Sequence, residues 1–361
     1  MRRRLVLLGC LVCLATQITG STAEATYDPL GSGATVLRLD KRFLGLLRSH
    51  GVTLSSREGA VVDGATLRFP VTGGRFDPVT GKGTVEHGGA VLLEGAGPPL
   101  SLKKLQLKTT RSSSPFVAKL GGGQLKLGRA QRLVVTRRGF ADEVRTSQVR
   151  LSAKSATRLS KRLRARRLFK EGMLVGSAVT RANPVTVAVL GKGQATFELD
   201  PAMAAKLDSL FVAVNPIFPA ERPGPFTLPI FGGKLAPDLG SGFLQLEGAL
   251  ELLQLGGGQV IWSAPVLDLD NGSLRPEVEV KPSPPYAGKA GPLDIASLNL
   301  PPGSTAPNPQ RRTLTVSGAP LALADSTAAT FNEVFAKPQG KDHVFSAGEV
   351  LGRVTFLATS H

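Results

Sequence analysis

Two copies of one sequence unit make up most of this chain, and the duplication limits its possible folds more than any other feature, because both copies must form the same kind of domain. Residues 69–93, FPVTGGRFDPVTGKGTVEHGGAVLL, return without a gap at 228–252 as LPIFGGKLAPDLGSGFLQLEGALEL. Three further segments recur in the same order, with 37–43 at 197–203, 151–163 at 323–335, and 169–179 at 345–355. The offset between the copies grows along the chain, which predicts an insertion in the second copy at the Pro-rich tract 281–309.

The duplication also sets the predicted domain boundaries. We assign a signal peptide, a first copy and a second copy to residues 1–25, 34–182 and 183–361. Three arginines and then an apolar run over 5–15 are typical of an export signal. The run is shorter than the roughly 20 residues that span a bilayer. We therefore expect a protein that is secreted or held at the cell envelope.

Both cysteines, Cys10 and Cys13, lie in the predicted signal peptide. A lipid anchor on Cys10, which ends a Leu-Leu-Gly-Cys sequence, is the alternative to cleavage after residue 25. With cleavage there, the mature chain has no thiol, which excludes thiolate metal sites and cysteine nucleophiles.

Short segments in which apolar and polar residues alternate predict strands, because successive side chains of a strand point to opposite faces. These segments are 66–69, 105–108, 124–127, 195–199 and 266–269. The 42 glycines and 26 prolines indicate frequent turns. We predict a mainly β fold, with two tandem β-sandwich-like or barrel-like domains that each carry two short helices.

Each copy has a recognisable helix start. Asp200 followed by Pro201 is typical of an N-cap and a first helical position. Asp40 begins the equivalent helix in the first copy, with Gly51 as its C-cap. A second helix is predicted over 155–167 of the first copy.

The positive charge of the chain belongs to the first copy. Residues 26–182 hold 29 Lys and Arg against 10 Asp and Glu, whereas residues 183–361 hold 12 against 16. Such a surface attracts polyanions, which outside a cell are anionic wall polymers or lipid headgroups. The alternative is an ordinary solvated helix face, and nucleic acid is not favoured because aromatic residues for base stacking are scarce. The predicted polyanion-binding residues are Arg158, Lys161, Arg162, Arg164, Arg166, Arg167 and Lys170.

The sequence offers little catalytic chemistry. None of the four histidines pairs with another at metal-ligand spacing, and no Gly-x-Ser-x-Gly elbow is present. The glycine runs at 121–123 and 256–258 lack the phosphate-loop pattern and predict hairpin turns. We expect a protein that is not an enzyme and predict no metal site.

Several motifs of the first copy resemble the HtaA-like domain of secreted actinobacterial proteins. They are the Leu-x-Leu-Asp helix start, the segment 69–77 (FPVTGGRFD) and the segment 81–89 (GKGTVEHGG). The resemblance covers most of the first copy and, more weakly, the second. It implies a haem-binding module at the cell surface, in which a Tyr near the first helix ligates the iron and a His supports it.

The residues of this chain depart from that ligand pattern. The first helix of neither copy contains a Tyr, and the two tyrosines are Tyr27 and Tyr286. His87, whose counterpart in the second copy is Leu246, and His50 are the haem-ligand candidates. A structural role for His87 is the alternative, and so is a family fold whose haem chemistry is lost or altered.

Two hypotheses follow from the sequence. The first is a secreted envelope protein that binds haem or another small ligand. The second is a structural or adhesive envelope protein whose basic first domain binds anionic wall polymers.

Overall fold

A computed structural model describes residues 27–110, 114–120, 123–165, 168–221, 224–281 and 288–361. The predicted signal peptide, Tyr286, Arg166 and Arg167 lie outside these residues. The described chain forms one sheet of 11 strands and a second sheet of 12 strands. The prediction of a mainly β chain with two tandem barrel-like units and four short α-helices is confirmed.

The strands of the first sheet are β1 (Asp28–Leu39), β2 (Thr53–Arg57), β3 (Val61–Asp63), β4 (Thr66–Phe76), β5 (Gly83–His87), β6 (Ala90–Glu94), β7 (Leu100–Thr109), β8 (Ser114–Leu120), β9 (Gly123–Arg138), β10 (Ala141–Leu151) and β11 (Leu174–Pro184). The strands of the second sheet are β12 (Val187–Leu199), β13 (Val212–Ile217), β14 (Phe226–Leu235), β15 (Gly242–Leu246), β16 (Ala249–Gln254), β17 (Gln259–Asp268), β18 (Ser273–Lys281), β19 (Gly288–Pro292), β20 (Ala296–Leu298), β21 (Thr305–Asn308), β22 (Thr313–Leu323) and β23 (Val350–Ser360).

Each sheet closes into a ring of eight antiparallel strands. In the first sheet the order is β7-β5-β4-β1-β11-β10-β9-β8, and β8 pairs back with β7. In the second sheet the order is β17-β15-β14-β12-β23-β22-β20-β18, and β18 pairs back with β17. We call these rings the first and second barrel. Strand β4 shows why they close around a core, since Leu67, Phe69 and Val71 are buried while Arg68 between them is exposed.

The helices are α1 (Lys41–Ser49), α2 (Ala153–Arg162), α3 (Pro201–Asp208) and α4 (Asp325–Phe331), and α4 continues into a π-helical turn over Asn332–Ala336 and a 3-10 turn over Lys337–Gln339. The N-cap prediction is confirmed, because Asp40 accepts a hydrogen bond from the backbone of Arg42 and Asp200 accepts one from Ala202. None of the described helices is long and apolar enough to cross a membrane.

Helix α2 begins at Ala153, two residues before the predicted start, and ends at Arg162, five residues before the predicted end. Ser152 is the N-cap, because its hydroxyl accepts a hydrogen bond from the backbone of Ser155 at 3.2 Å. Arg164 has a φ of 52°, a left-handed conformation that a helix cannot continue through. The local hydrogen bond and the backbone turn, rather than the cationic pattern, therefore set the helix bounds.

Buried charges join the two barrels where β1 meets β12. Asp28 accepts a hydrogen bond from the backbone N–H of Ala188 at 2.9 Å and one from the Arg137 guanidinium at 2.7 Å. Arg137 also donates a hydrogen bond to the carbonyl of His361 at 2.6 Å. A side chain of the first barrel thus contacts the residue that follows β23 of the second barrel. Asp142 lies 3.7 Å from Arg137 Nε, and its buried carboxylate has no hydrogen-bond partner. Burial raises the pKa of Asp142 to about 7.

Candidate functional site

The first barrel encloses an apolar cavity of about 110 Å³. Strands from around the ring and both helices of the first copy contribute its wall. The lining includes Leu39, Phe43, Phe69, Leu102, Phe116 and Leu159. Among the lining residues that the structure describes, Arg150 is the one that can carry a charge. A cavity with almost wholly apolar walls is the usual form of a site for a small apolar ligand.

The corresponding cavity of the second barrel is about 40 Å³. The strand pairing identifies equivalent residues, because Leu102 lies opposite Val91 and Trp262 lies opposite Leu250, the counterpart of Val91. The indole of Trp262 stacks on Phe331, with ring centroids 5.7 Å apart and an interplanar angle of 14°. A leucine in the first copy is thus replaced by the chain's single tryptophan, which fills the second barrel.

The second helix of each copy completes this difference. Ser160 Oγ accepts a hydrogen bond from the backbone of Phe169, and Asn332 Oδ1 accepts one from the backbone of Phe345, which makes Ser160 and Asn332 equivalent. One residue before this position, Leu159 faces the first cavity, whereas the second copy has Phe331 there. Phe331 also contacts Phe335 and Phe345, with centroid distances of 5.4 and 5.1 Å. An aromatic cluster therefore occupies the space that remains open in the first barrel.

His87 lies behind the cavity wall, on β5, and is 3% exposed. Its Nδ1 is 3.0 Å from the carbonyl of Leu105, which can only accept, so Nδ1 carries the proton. Its Nε2 then accepts a hydrogen bond from the Thr35 hydroxyl at 2.6 Å, and Thr35 accepts one from Thr180 at 2.7 Å. Burial lowers the pKa of His87 to about 4, so the imidazole is neutral at physiological pH.

This hydrogen-bond chain occupies both ring nitrogens of His87, and its Phe69 neighbour packs edge-on against the ring at 6.4 Å. His50, the second haem-ligand candidate, is exposed just after α1, where its Nδ1 lies 3.1 Å from the carbonyl of Leu46. Tyr27 is half-buried beneath the guanidinium of Arg75, 5.0 Å from its ring centroid. None of these three residues lines the first cavity.

The described residues of the two cavities do not fit haem ligated through its iron. Their lining contains no Tyr, His, Cys or Met side chain, the residue types that hold haem iron. Nε2 of His87 becomes available to a metal only if its hydrogen bond to Thr35 is broken. The haem-ligand roles of His87 and His50 stay predictions.

Those predicted polyanion-binding residues that the structure describes lie on α2 or follow it in the chain. Ala156, Leu159 and Ser160 form its buried face. The opposite side presents exposed cations, which are Arg158, Lys161, Arg162 and, beyond the helix, Arg164 and Lys170. Among the described residues, these five cations have no acidic partner within ion-pair distance. The arrangement brings the positive charges to one outer face of the first barrel.

Sequence reasoning missed the residues that distinguish the two barrels. Leu102 and Trp262 lie in the stretch between the recurring segments, where the copies have little similarity. Thr35 and Thr180 carry no motif, and only the pairing of β1 with β4 and β11 brings them to His87. The single tryptophan was the one available signal, but the offset of 159 in the preceding recurring segment places it on Lys103 rather than on Leu102.

No protein-family model matches the chain, and no match is found among curated proteins. Solved structures from Corynebacterium glutamicum do match. The N-terminal domain of HtaA is 11% identical with a TM-score of 0.37, and the match covers 48% of this chain and 99% of that domain. The C-terminal domain of HtaA is 13% identical with a TM-score of 0.36 and coverages of 43% and 98%.

A third match is the heme-binding protein HtaB of the same organism, at 12% identity, a TM-score of 0.30, and coverages of 44% and 96%. Each match spans about half of this chain and nearly the whole of the solved domain. The chain is thus similar to HtaA-like domains among solved structures, the family that its sequence motifs resemble.

Proposed function

We propose that this chain is a secreted, non-enzymatic binding protein of the cell envelope, and that its first barrel takes a small apolar ligand. The observation that carries the proposal is the difference between the barrels, with about 110 Å³ open in the first and about 40 Å³ in the second. An apolar cavity of about 150 Å³ holds a benzene-sized molecule. The first cavity is smaller than this, so it suits a very small apolar compound or the narrow apolar end of a larger one.

Haem is the ligand that the sequence resemblance implies, and it enters the proposal as a hypothesis to be tested beside other ligands. The first cavity offers haem an apolar wall, but it offers no iron ligand among its described lining residues. Binding through His87 requires the Thr35 hydrogen bond to break. A haem complex of this kind has a distinct signature, since iron ligation shifts the Soret absorbance and substitution of the ligand removes the shift.

The test is a calorimetric titration with 1-hexanol, a neutral compound with a narrow apolar chain, on the native protein and on Leu102→Trp. Leu102→Trp places in the first barrel the residue that fills the second. We expect saturable binding of 1-hexanol by the native protein and at least a tenfold loss of affinity in the variant. Leu159→Phe, which copies the second-copy residue on the helix side, provides an independent filling variant if Leu102→Trp does not fold.

Two outcomes contradict the proposal. The first is no saturable binding by the native protein, and the second is binding that neither filling variant weakens. A parallel haem titration with His87→Ala as its control tests the haem hypothesis. A Soret shift that His87→Ala abolishes would replace the apolar-ligand proposal by iron ligation.

The second candidate function is adhesion to anionic wall polymers through the basic first domain. The exposed and unpaired cations of α2, among them Arg158 and Lys161, favour it. Retention of the protein on purified wall material, released by salt and weakened when these cations are replaced, would support adhesion. Retention that salt does not affect would contradict it.

A further inference from the structure

The cavity and the cationic surface of the first copy share one helix. Leu159 of α2 lines the cavity, while its neighbour Arg158 and the next turn, at Lys161 and Arg162, are exposed on the opposite face. A helix is about 10 Å across with its side chains. A ligand in the cavity is therefore within about that distance of several unpaired positive charges.

A second connection runs from the cavity lining to this surface through Arg150. Arg150 contributes apolar atoms to the cavity wall, while its guanidinium donates a hydrogen bond to the carbonyl of Gly172 at 2.8 Å. The turn before Gly172 carries the exposed Lys170 and is held to α2 by the bond from the backbone of Phe169 to Ser160. Positive charge thus continues from the outer side of the cavity wall, across the turn and onto the helix.

The second copy lacks both features together. The barrel of the second copy is filled, and its helix α4 has neutral or acidic residues at the positions of the α2 cations. The equivalents of Arg150, Arg158, Lys161, Arg162 and Arg164 are Ala322, Thr330, Glu333, Val334 and Ala336. Glu333 is paired with Lys337, so no net positive charge remains on this turn. Two features that occur together in one copy and are absent together from the other are expected to serve the same site.

We infer that the first barrel binds an anionic single-chain amphiphile, with the end of its alkyl chain in the apolar cavity and its carboxylate or phosphate head outside the barrel wall, beside the Arg150 guanidinium and the α2 cations. The inference rests on the proposed function, to which it adds the chemistry of the ligand. The apolar wall supplies affinity for the chain. The cations select the sign of the head group, because opposite charges attract across the partly screened surface.

The experiment measures binding of three ligands that share a ten-carbon chain, by isothermal titration calorimetry. They are decanoate, 1-decanol and decyltrimethylammonium. For the native protein we expect decanoate to bind about tenfold more tightly than decanol, and decyltrimethylammonium to bind most weakly. Raising the salt concentration to 0.5 M should weaken decanoate and leave decanol unchanged.

Matched variants separate charge from cavity. The triple variant Arg158→Ser, Lys161→Ser and Arg162→Ser should reduce decanoate affinity to that of decanol. A control with Lys192→Ser, Arg311→Ser and Lys341→Ser removes the same charge from exposed positions of the second copy and should have no effect. Leu102→Trp should weaken all three ligands.

The outcomes distinguish this inference from the proposed function. Equal binding of the three ligands overturns the inference and leaves the apolar cavity site in place. No binding of any of them overturns both. Decanoate binding, or retention on vesicles of phosphatidylglycerol, that Leu102→Trp leaves unchanged shows attachment to the outer charges alone and overturns the inference.

Discussion

Asp142 makes the junction between the barrels sensitive to pH. Its carboxylate is 2% exposed, and neither oxygen has a hydrogen-bond partner among the described residues. Desolvation is the main reason that its pKa rises from 3.8 to about 7, while the nearby Arg137 partly offsets the effect and Asp28 adds to it. The substitution Asp142→Asn keeps the shape of the side chain and removes its ionisation.

The magnitude follows from the raised pKa. Because the folded protein holds a proton that the unfolded chain releases near pH 3.8, Asp142 contributes its full stability below pH 3.8 and loses it as the pH rises through about 7. One pKa unit corresponds to about 1.4 kcal/mol, so a shift of roughly three units is worth about 4 kcal/mol. Most of the loss falls between pH 4 and pH 7.

Urea unfolding at pH 5.0 and pH 8.0, followed by circular dichroism, measures this effect. We expect the native protein to lose about 2–3 kcal/mol of unfolding free energy over this interval, relative to Asp142→Asn. At pH 8.0 the variant should be the more stable protein, because it buries no carboxylate charge that lacks a hydrogen bond. An identical pH dependence in the two proteins would refute the reasoning, and so would a variant that is less stable at both pH values.

Three further predictions concern buried groups of the two barrels. The imidazole of His87 should remain the neutral Nδ1–H tautomer down to about pH 4, so its contribution to stability is full above pH 6.5 and is lost as the pH falls through 4. A titration midpoint near 6.5 in 15N NMR spectra would contradict its burial. Thr35→Val, which leaves Nε2 of His87 unpaired, should lower the free energy of urea unfolding by about 1–3 kcal/mol. Trp262→Leu should lower the unfolding free energy of the second barrel by about 2–4 kcal/mol, because it leaves a cavity beside the aromatic cluster. Unfolding followed by circular dichroism measures this loss. A loss below about 1 kcal/mol would show that the barrel collapses around the smaller side chain. Arg137→Met should destabilise the protein by about 3–5 kcal/mol because it leaves Asp28 buried without its cation. The control Arg138→Met, at an exposed neighbouring position, should destabilise it by about 1 kcal/mol or less. Equal effects of the two substitutions would contradict the importance of the junction.

The sequence was sufficient to predict the parts of the fold that depend on local pattern. Alternation predicted strands such as β4, and the side chains of Asp40 and Asp200 predicted the starts of α1 and α3. These features depend on neighbouring residues of the chain. The hairpin prediction at 256–258 is confirmed for the same reason, since Gly256 has a φ of 71° in the turn between β16 and β17.

The candidate site could not be predicted in the same way, because its residues meet only through long-range pairing. Thr35 and His87 are 52 positions apart and become hydrogen-bonded only when β4 lies between β1 and β5. The first barrel has the larger cavity because Leu102 is smaller than Trp262, and strand pairing is needed to align these two residues. The cationic segment was visible in the sequence, but that Leu159 of the same helix lines a cavity was not.

The position of an apolar ligand within the chain tests the central claim most directly. Methyl NMR spectra of the native protein, recorded with and without 1-decanol, report on leucines of both barrels. We expect shifts at Leu102, Leu105 and Leu127, which line the first cavity, and none at leucines that line the second cavity, such as Leu250 and Leu252. Equal shifts in both barrels, or shifts confined to exposed methyl groups, would contradict the claim that the first barrel is the binding site.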